Sequence, residues 1–174
     1  WIPAEGGAVT LIAPAEGRES PHFVDGVHRI YLHHRANGLV SIRWDGTDER
    51  AHVEVVGGTR PGQQQPTRAS LIEMAPRGDR ALAAVDNDLY VVTVPLVGGE
   101  TPAISIANMN NTAFPARKLT KIGGQFPTWN ANGSQVQFSI GNAHFVYDLD
   151  TAEAYEDSVA LIERAEADRD EEDE

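Results

Sequence analysis

Three segments of this chain share one arrangement of apolar residues, and this internal similarity restricts the folds that the chain can adopt. They are residues 23–32, 74–83 and 129–138. Each segment begins with a large apolar residue, passes through a turn that contains glycine, and places apolar residues seven and nine positions after its start. Strand side chains alternate between the two faces of a sheet, so a turn followed by this spacing is typical of a β-hairpin.

Further strands are predicted at regular distances after each hairpin turn. The next strand lies at residues 39–44, 89–94 and 144–149, and an outer strand is indicated at residues 51–56, 103–107 and 9–12. Four antiparallel strands per repeat make one blade of a β-propeller. The sequence therefore predicts an all-β fold, a partial β-propeller of about three four-stranded antiparallel blades over residues 1–150.

The predicted blades do not close a ring. Residues 2–7 align with residues 94–99, so the chain is expected to begin within a blade. Propellers usually need 4–8 blades, and an open arc leaves sheet edges and apolar faces in water. We expect the remainder of the propeller, or a second copy of the chain, to complete the arc. In one specific hypothesis two copies form a six-bladed ring, with residues 9–12 of each completing the last blade of the other.

The end of the chain is predicted to be helical and is strongly acidic. Asp150 and Glu153 have the spacing of a helix capping box, and helical intervals separate Tyr155, Val159 and Ile162. Residues 151–174 are therefore predicted to form an acidic helical linker or tail, with a helix that frays by Glu166. This tail is interpreted as a solvated tether, with a docking arm for a basic partner as the alternative.

Charge and composition exclude several classes of protein. The net charge is −12, of which −10 falls on residues 150–174. The remaining nearly neutral body has no large basic face, so no nucleic-acid partner is expected. No apolar run approaches the roughly 20 residues of a membrane span. The absence of cysteine excludes thiol catalysis and thiolate metal sites.

Motifs for metal binding or cofactor binding are not found in the sequence. The neighbours His33 and His34 are expected to point to opposite faces of a strand and cannot jointly chelate. His22 and Asp25 could form a ligand pair, although hydrogen bonding in a turn is the favoured interpretation. Two acidic pairs could bind calcium or act as acid and base, but solvated turns are favoured: Asp45 with Asp48, and Asp86 with Asp88. The sequence therefore assigns no catalytic, cofactor-binding or metal-binding residue to this chain.

Nucleophilic catalysis has equally little support in the sequence. Ser41 and Ser139 lie near apolar strands and lack a histidine and an acid in a recognisable arrangement. An enzyme with its site in a propeller channel is a rival hypothesis, with His22, Asp25 and His144 as the first residues to test.

Several large apolar side chains, most of them aromatic, could either pack in the core or line a binding surface. Phe23, Met74 and Trp129 occupy equivalent positions, and packing between blades is the favoured interpretation for all of them. Trp44 and Tyr31 could instead line a binding surface, and the sequence leaves this open.

The repeated pattern of apolar anchor, glycine turn and strand resembles the TolB-type β-propeller repeat, a relative of the WD repeats. The stretch KLTKIGGQFPTWNANGSQVQFSIGNAHFVYDLD at residues 118–150 shows it best. More narrowly, RIYLHHRANGLVSIRWDGTDERAHVEVVG, NDLYVVTVP, FPARKLTKIGGQFPTW and GNAHFVYDLD resemble the TolB-like propeller region of exported bacterial amidohydrolases.

The resemblance implies a function for the chain. In those proteins the propeller precedes a metal-dependent barrel hydrolase, and an acidic linker joins the two. The metal ligands of that family lie in the barrel, and no position of this chain matches them. The resemblance thus implies a non-catalytic accessory domain that gates substrate or binds a partner, located in the periplasm or secreted. A free-standing module for binding peptide or glycan is the other alternative.

Overall fold

The described residues, 1–95, 100–112 and 114–172, form three β-sheets and one C-terminal helix in this computed structural model. Sheet 1 contains β1 (Arg18–His22), β2 (Ile30–His34), β3 (Gly38–Ile42), β4 (Arg50–Val56) and β8 (Ala103–Ser105). Sheet 2 contains β5 (Leu71–Met74), β6 (Arg80–Val85), β7 (Asp88–Thr93) and β9 (Ala116–Lys118). Sheet 3 contains β10 (Gln125–Trp129), β11 (Gln135–Ile140) and β12 (Ala143–Asp148), and helix α1 (Leu149–Glu172) follows. The predicted β-rich fold with a C-terminal helix is confirmed.

The sheets are built from hairpins of neighbouring strands, as the spacing predicted. β2 pairs with β3, β6 with β7 and β11 with β12, each in antiparallel register. Glycines occupy the left-handed positions of the turns, for example Gly26, Gly78 and Gly133 with φ between 74° and 85°. A residue without Cβ adopts this conformation at little cost, which explains why each aligned segment contains one.

The strand predicted at residues 103–107 belongs to a different sheet from the one expected. β8 pairs with β4 of sheet 1, and it does so in parallel, whereas β9 supplies the fourth strand of sheet 2. This placement buries Ile104 and Ile106 in the layer between sheets 1 and 2. The prediction of an outer strand next to β7 was therefore wrong, because the gain from burying two isoleucines decides where this segment lies.

The segment at residues 9–12 does not form the predicted strand. A strand requires a partner edge, and the backbone of Thr10 instead exchanges two hydrogen bonds with Trp1, at 2.6 and 2.8 Å. Ile12 packs on the outer side of sheet 1, where its carbonyl oxygen passes close to Gly46. The aligned segment at residues 94–99 lies partly outside the described residues.

Helix α1 begins and ends differently from the prediction. Its N-cap is Asp148, whose Oδ1 accepts a hydrogen bond from the backbone N–H of Thr151 at 2.8 Å, so the expected capping box at Asp150 is not formed. The helix continues to Glu172 instead of fraying by Glu166, in keeping with its many alanine and glutamate residues. Among the described residues, no helix has both the length and the apolar character that a membrane crossing requires.

Two apolar layers hold the three sheets in a stack. The layer between sheets 1 and 2 includes Leu39 and Val53 from one sheet and Ala81 and Val92 from the other. The layer between sheets 2 and 3 joins Leu82, Leu89 and Val91 to Trp129, Val136 and Phe138, with Leu149 of α1. Sheet 2 is therefore apolar on both faces, which explains the near-continuous burial of β6 and β7.

The apolar residues seven and nine positions after the start of each aligned segment all point in the same direction along the stack of sheets. Ala81 and Ala83 face sheet 1, and the equivalent residues Val136 and Phe138 face sheet 2. Their counterparts in sheet 1, Ile30 and Leu32, face away from sheet 2 and form a third, smaller cluster. Each of these positions thus points toward the sheet that precedes its own, and sheet 1 has no preceding sheet among the residues described.

Candidate functional site

The residues that the sequence singled out for a channel site are not brought together. His22 lies on β1 at the edge of sheet 1, whereas His144 lies on β12 of sheet 3, with sheet 2 between them. Asp25 is exposed and pairs with Arg77 at 2.7 Å. Within the described part of the chain, no three histidine, aspartate or glutamate side chains are grouped to hold a metal ion.

His22 bridges sheets 1 and 2 through both of its ring nitrogens. The backbone N–H of Met74 donates to Nε2 at 2.8 Å, and Nδ1 lies 2.8 Å from the carbonyl oxygen of Ser20. This pattern requires a neutral ring with its proton on Nδ1, because Nε2 acts as an acceptor. Burial lowers the pKa of His22, which agrees with a ring that stays neutral. The residue is thus a structural bridge between the sheets.

A serine and a histidine meet in sheet 1, close to His22. The hydroxyl of Ser41 lies 2.8 Å from Nε2 of His52, and Nε of Arg29 donates to the same hydroxyl at 2.8 Å. Arg29 also donates to Asp48 Oδ2 at 2.9 Å and to the carbonyl oxygen of Ser41 at 3.0 Å. Burial, followed by Arg29 and Arg50, lowers the pKa of His52. The serine–histidine cluster therefore consists of Arg29, Ser41, Asp48 and His52.

The serine–histidine cluster lacks the features of a hydrolase site. Ser41 has no exposed surface, so a substrate carbonyl cannot reach its oxygen. The donation from Arg29 engages one of the two lone pairs of the Ser41 oxygen and so makes this oxygen a weaker nucleophile. Among the hydrogen bonds formed by the described residues, none joins His52 to a carboxylate that would orient it. The arrangement instead satisfies polar groups that lie between two sheets.

Both serines have a histidine neighbour that spacing in the sequence did not indicate. Ser41 meets His52 across the β3–β4 hairpin, and Ser139 stands directly opposite His144 in the β11–β12 register. For Ser139 the signal was the hairpin itself, because residues equally distant from a turn become cross-strand neighbours. For Ser41 the direct partner is Arg50, and a register shift between Leu39 and Val40 leaves His52 without a direct partner, so that its ring reaches the Ser41 hydroxyl; spacing alone does not reveal this.

The carboxylates of the two acidic pairs accept hydrogen bonds or form ion pairs with other residues of the chain. Asp45 accepts from the backbone and hydroxyl of Thr47, and these hydrogen bonds hold the pKa of its carboxyl below the usual value. Asp48 lies within 3.2 Å of three arginines: Arg29, Arg43 and Arg50. Asp86 pairs with Arg60, and Asp88 accepts from Thr120 and from the backbone of Gly123. Asp45 and Asp86 lie in turns, as the favoured interpretation has it, whereas Asp88 is the first residue of β7 and Asp48 lies just after a turn.

His33 and His34 point away from each other, as their adjacent positions predicted. His33 is 2% exposed, faces the layer next to sheet 2, and has an Nδ1 atom without a hydrogen-bond partner among the described residues. Burial lowers its pKa. Nδ1 of His34 instead accepts two backbone N–H groups of the following turn at 3.2 Å.

The three partly or fully buried histidines make stability depend on pH. The pKa values of His22, His33 and His52 are lowered from 6.5, so below that pH the unfolded chain binds protons that the folded chain does not bind. The contribution of these histidines to the free energy of unfolding is therefore fully present above pH 6.5. It decreases as the pH falls below 6.5, by up to about 1.4 kcal/mol per pH unit for each histidine. Urea unfolding over a pH series measures this slope.

Single substitutions assign that slope to individual histidines. His22→Gln and His52→Gln should each make the pH dependence shallower by up to one proton, while lowering stability near neutral pH through lost hydrogen bonds. A stability that stays constant or increases on acidification just below 6.5 would contradict the assignment.

Trp44 lies on the surface in an exposed aromatic pair, whereas Tyr31 belongs to the core. Phe23 and Trp44 stack with ring centroids 5.4 Å apart and planes 10° from parallel, and they are 56% and 47% exposed. Tyr31, in contrast, is half-buried and packs against the layer between sheets 1 and 2. The interpretation of Phe23 as a residue packed between sheets was wrong, whereas Met74 and Trp129 are buried as expected. The physical reason is that no described sheet precedes sheet 1.

The surface beside this pair is concave. A depression of about 600 Å³ is lined by Val27, His28, Arg43 and Trp44, among others. Comparison of the chain with models of protein families, with curated proteins and with solved structures found no match. Evidence for function therefore comes from the residues themselves.

Proposed function

We propose that this chain is the non-catalytic propeller region of an amidohydrolase-like protein and that it acts as an interaction domain beside the catalytic one. The observation that carries the proposal is the stacking of three sheets in chain order, with aligned positions facing the preceding sheet. Blades of a propeller are related in this way around their axis. In this interpretation sheets 1, 2 and 3 are three consecutive blades, and the remainder of the propeller or a second copy completes the arc.

The properties of the polar clusters favour a non-catalytic role. The buried Ser41, the hydrogen-bonded ring of His22 and the paired carboxyl of Asp25 all have structural partners. No observation favours the alternative hydrolase with its site in a propeller channel, because His144 lies on a different sheet from the other two candidates.

Helix α1 has the properties of a linker that leaves the domain in a defined direction. Arg80 donates to Glu153 at 2.7 Å, and Arg117 donates to Glu156 at 2.6 Å. These contacts fix the first turns of the helix to sheet 2, while Tyr155, Leu161 and Ile162 stay exposed. An acidic helix held at one end suits a connection to a neighbouring catalytic domain, where loops of the propeller could gate substrate or hold a partner.

A second candidate function is favoured by the exposed aromatic pair. Phe23 and Trp44 present stacked rings beside a concave surface that carries His28 and Arg43. Aromatic rings of this kind offer apolar area with little loss of conformational freedom on binding. The chain could therefore act as a free-standing module that binds peptide or glycan.

Activity measurements distinguish these functions. We expect the purified chain to turn over no amide, ester or glycoside in a substrate panel. In a protein that carries this region and a metal-dependent barrel, deletion of residues 1–150 should lower hydrolase activity, whereas Ser41→Ala should leave it unchanged. Turnover by the isolated chain that Ser41→Ala or His22→Gln abolishes would contradict the proposal. Saturable binding of peptide or glycan without turnover, lost in Trp44→Ala, would favour the binding module.

A further inference from the structure

Strand β12 forms an open edge of sheet 3. It pairs with β11 on one side, and no strand of the described residues pairs with it on the other side. Sheets 1 and 2 have a further strand at the corresponding place, β4 next to β3 and β9 next to β7. In sheet 3 the chain that follows β12 does not provide one, because it forms helix α1 from Leu149 onward. Residues 143–146 of β12 are all exposed.

The other edge strands of the described sheets have features that prevent a further strand from pairing with them. β1 and β10 contain Pro21 and Pro127, and each of these two strands has an irregular register with its neighbour. β8 and β9 are only three residues long, and β5 is four residues long. Folded proteins use prolines, bulges and short edge strands of this kind to avoid unwanted strand pairing.

β12 has none of these protections. It is six residues long, its register with β11 is regular from Ala143 to Asp148, and its sequence AHFVYD contains no proline, lysine or arginine. Two large apolar side chains of β12 are also in contact with water, because Phe145 is 42% exposed and Val146 is 53% exposed. A long, regular and apolar edge is a site at which another strand can pair.

The register of sheet 3 identifies the backbone groups of β12 that are free to pair. The N–H of Leu149 donates to the carbonyl oxygen of Ser134 at 3.0 Å, so these two residues are a hydrogen-bonded pair of the β11–β12 ladder. Hydrogen-bonded and non-hydrogen-bonded pairs alternate along an antiparallel ladder. By this alternation both backbone groups of Val146, the C=O group of His144 and the N–H group of Asp148 point away from β11.

The sequence of β12 is complementary to itself in antiparallel pairing about Val146. Two copies related by a two-fold axis perpendicular to the sheet place Val146 opposite Val146 of the second copy. In this register His144 of each copy lies opposite Asp148 of the other, and Phe145 lies opposite Tyr147. An imidazole opposite a carboxylate and an aromatic ring opposite another are both favourable cross-strand pairs. The outward N–H of Asp148 also meets the outward C=O of His144.

Residues 9–12 of a second copy, which the sequence pattern indicates for this edge, are engaged elsewhere. Thr10 exchanges two backbone hydrogen bonds with Trp1, and Ile12 packs on the outer side of sheet 1. Pairing with β12 requires these residues to release those contacts, whereas β12 is extended and exposed in each copy. A second β12 is therefore the occupant that the structure favours.

Helix α1 turns from the end of β12 toward sheet 2. Glu153 and Glu156 of its first turns accept hydrogen bonds from Arg80 and Arg117 of that sheet. In an antiparallel pair of β12 strands the two helices begin at opposite ends of the joined strands, about 20 Å apart for six residues. The two acidic segments therefore do not start side by side, which limits the repulsion between them.

We propose that β12 pairs antiparallel with β12 of a second copy, so that the two third sheets join into one continuous sheet. β12 of each copy then takes the place of the missing fourth strand in the other. The arrangement has two-fold symmetry and is closed, so association stops at two copies. The dimer goes beyond the proposed function, because it requires neither a catalytic domain nor any ligand.

Sedimentation velocity over a concentration series, from about 1 to about 100 µM, tests the dimer. Val146→Lys places two ammonium groups opposite each other at the two-fold axis and is expected to weaken dimerisation by about 100-fold. The matched control Ile122→Lys makes the same change of charge at an exposed apolar residue outside β12 and should leave dimerisation unchanged. Circular dichroism verifies that both variants are folded.

A pair of substitutions at His144 tests the register. His144→Asp places a carboxylate opposite Asp148 of the second copy, twice in the dimer, and should weaken dimerisation by about tenfold or more. His144→Lys places an ammonium group there and should preserve the dimer or strengthen it. Equal dissociation constants for the two variants would overturn this register.

The remaining outcomes separate the β12 dimer from its alternatives. A wild-type chain that is monomeric over the whole series overturns the proposal. A dimer that withstands Val146→Lys, or that Ile122→Lys weakens equally, is formed by another surface and overturns it too. These results do not depend on the substrate panel, so either proposal can fail while the other stands.

Discussion

Replacing Trp129 with alanine is expected to lower the free energy of unfolding by about 3–5 kcal/mol, the usual cost of removing a large buried aromatic side chain. Trp129 is 8% exposed and packs in the layer between sheets 2 and 3. Its Nε1 also donates to the carbonyl oxygen of Glu73 at 3.1 Å, so the substitution leaves that acceptor without this partner. Denaturant unfolding followed by circular dichroism measures the change.

The aligned position in sheet 1 provides the matched control. Phe23→Ala removes an aromatic side chain at the equivalent place, but Phe23 is 56% exposed, so this substitution should cost only about 1 kcal/mol. Trp129→Phe separates the two contributions, because it keeps most of the apolar contact and loses the hydrogen bond. Equal losses for Trp129→Ala and Phe23→Ala would show that the stacking order of the sheets is wrong.

Local patterns predicted the parts of this fold that depend on neighbouring residues. The pairs β2–β3, β6–β7 and β11–β12 each follow from a turn flanked by alternating apolar residues, and their registers need no information from the rest of the chain. The helical end was likewise predicted from spacing. The predicted N-cap, Asp150, lies two residues after the observed one, Asp148. Asp148 is also the last residue of β12, and the capping-box spacing does not show where a strand ends.

Long-range partners decided the parts that the sequence could not predict. β8 pairs with β4 of sheet 1 and not with β7 of sheet 2, next to which it was predicted. This pairing buries Ile104 between the two sheets, and the sequence does not show how close those sheets lie. The exposure of Phe23 follows from the absence of a preceding sheet among the described residues, although its sequence pattern matches that of Trp129. Likewise, the contact of Ser41 with His52 depends on a register shift in β4. Each of these features depends on packing between elements that are distant in the sequence.

Substituting alanine for Gly38 is expected to destabilise the chain by about 2–5 kcal/mol, for two reasons that add. Gly38 has a φ of 71°, a left-handed conformation that costs a residue with Cβ about 1–2 kcal/mol. A Cβ at this position would also lie 2.3 Å from the carbonyl oxygen of Val53 and 2.9 Å from the Cα of Glu54. Both neighbours are backbone atoms of β4, so relief requires moving a strand, with a further cost of about 1–3 kcal/mol.

Gly78 separates the conformational cost from the steric one. It has a φ of 85°, and no atom lies within 4 Å of the position that a Cβ would take there, so Gly78→Ala should lose only the conformational part, about 1–2 kcal/mol. Thermal and urea unfolding of both variants under one set of conditions gives the difference between them. If Gly38→Ala proves no more harmful than Gly78→Ala, the close approach of β3 and β4 at Val53 is not rigid, and the strand yields to the added methyl group at little cost.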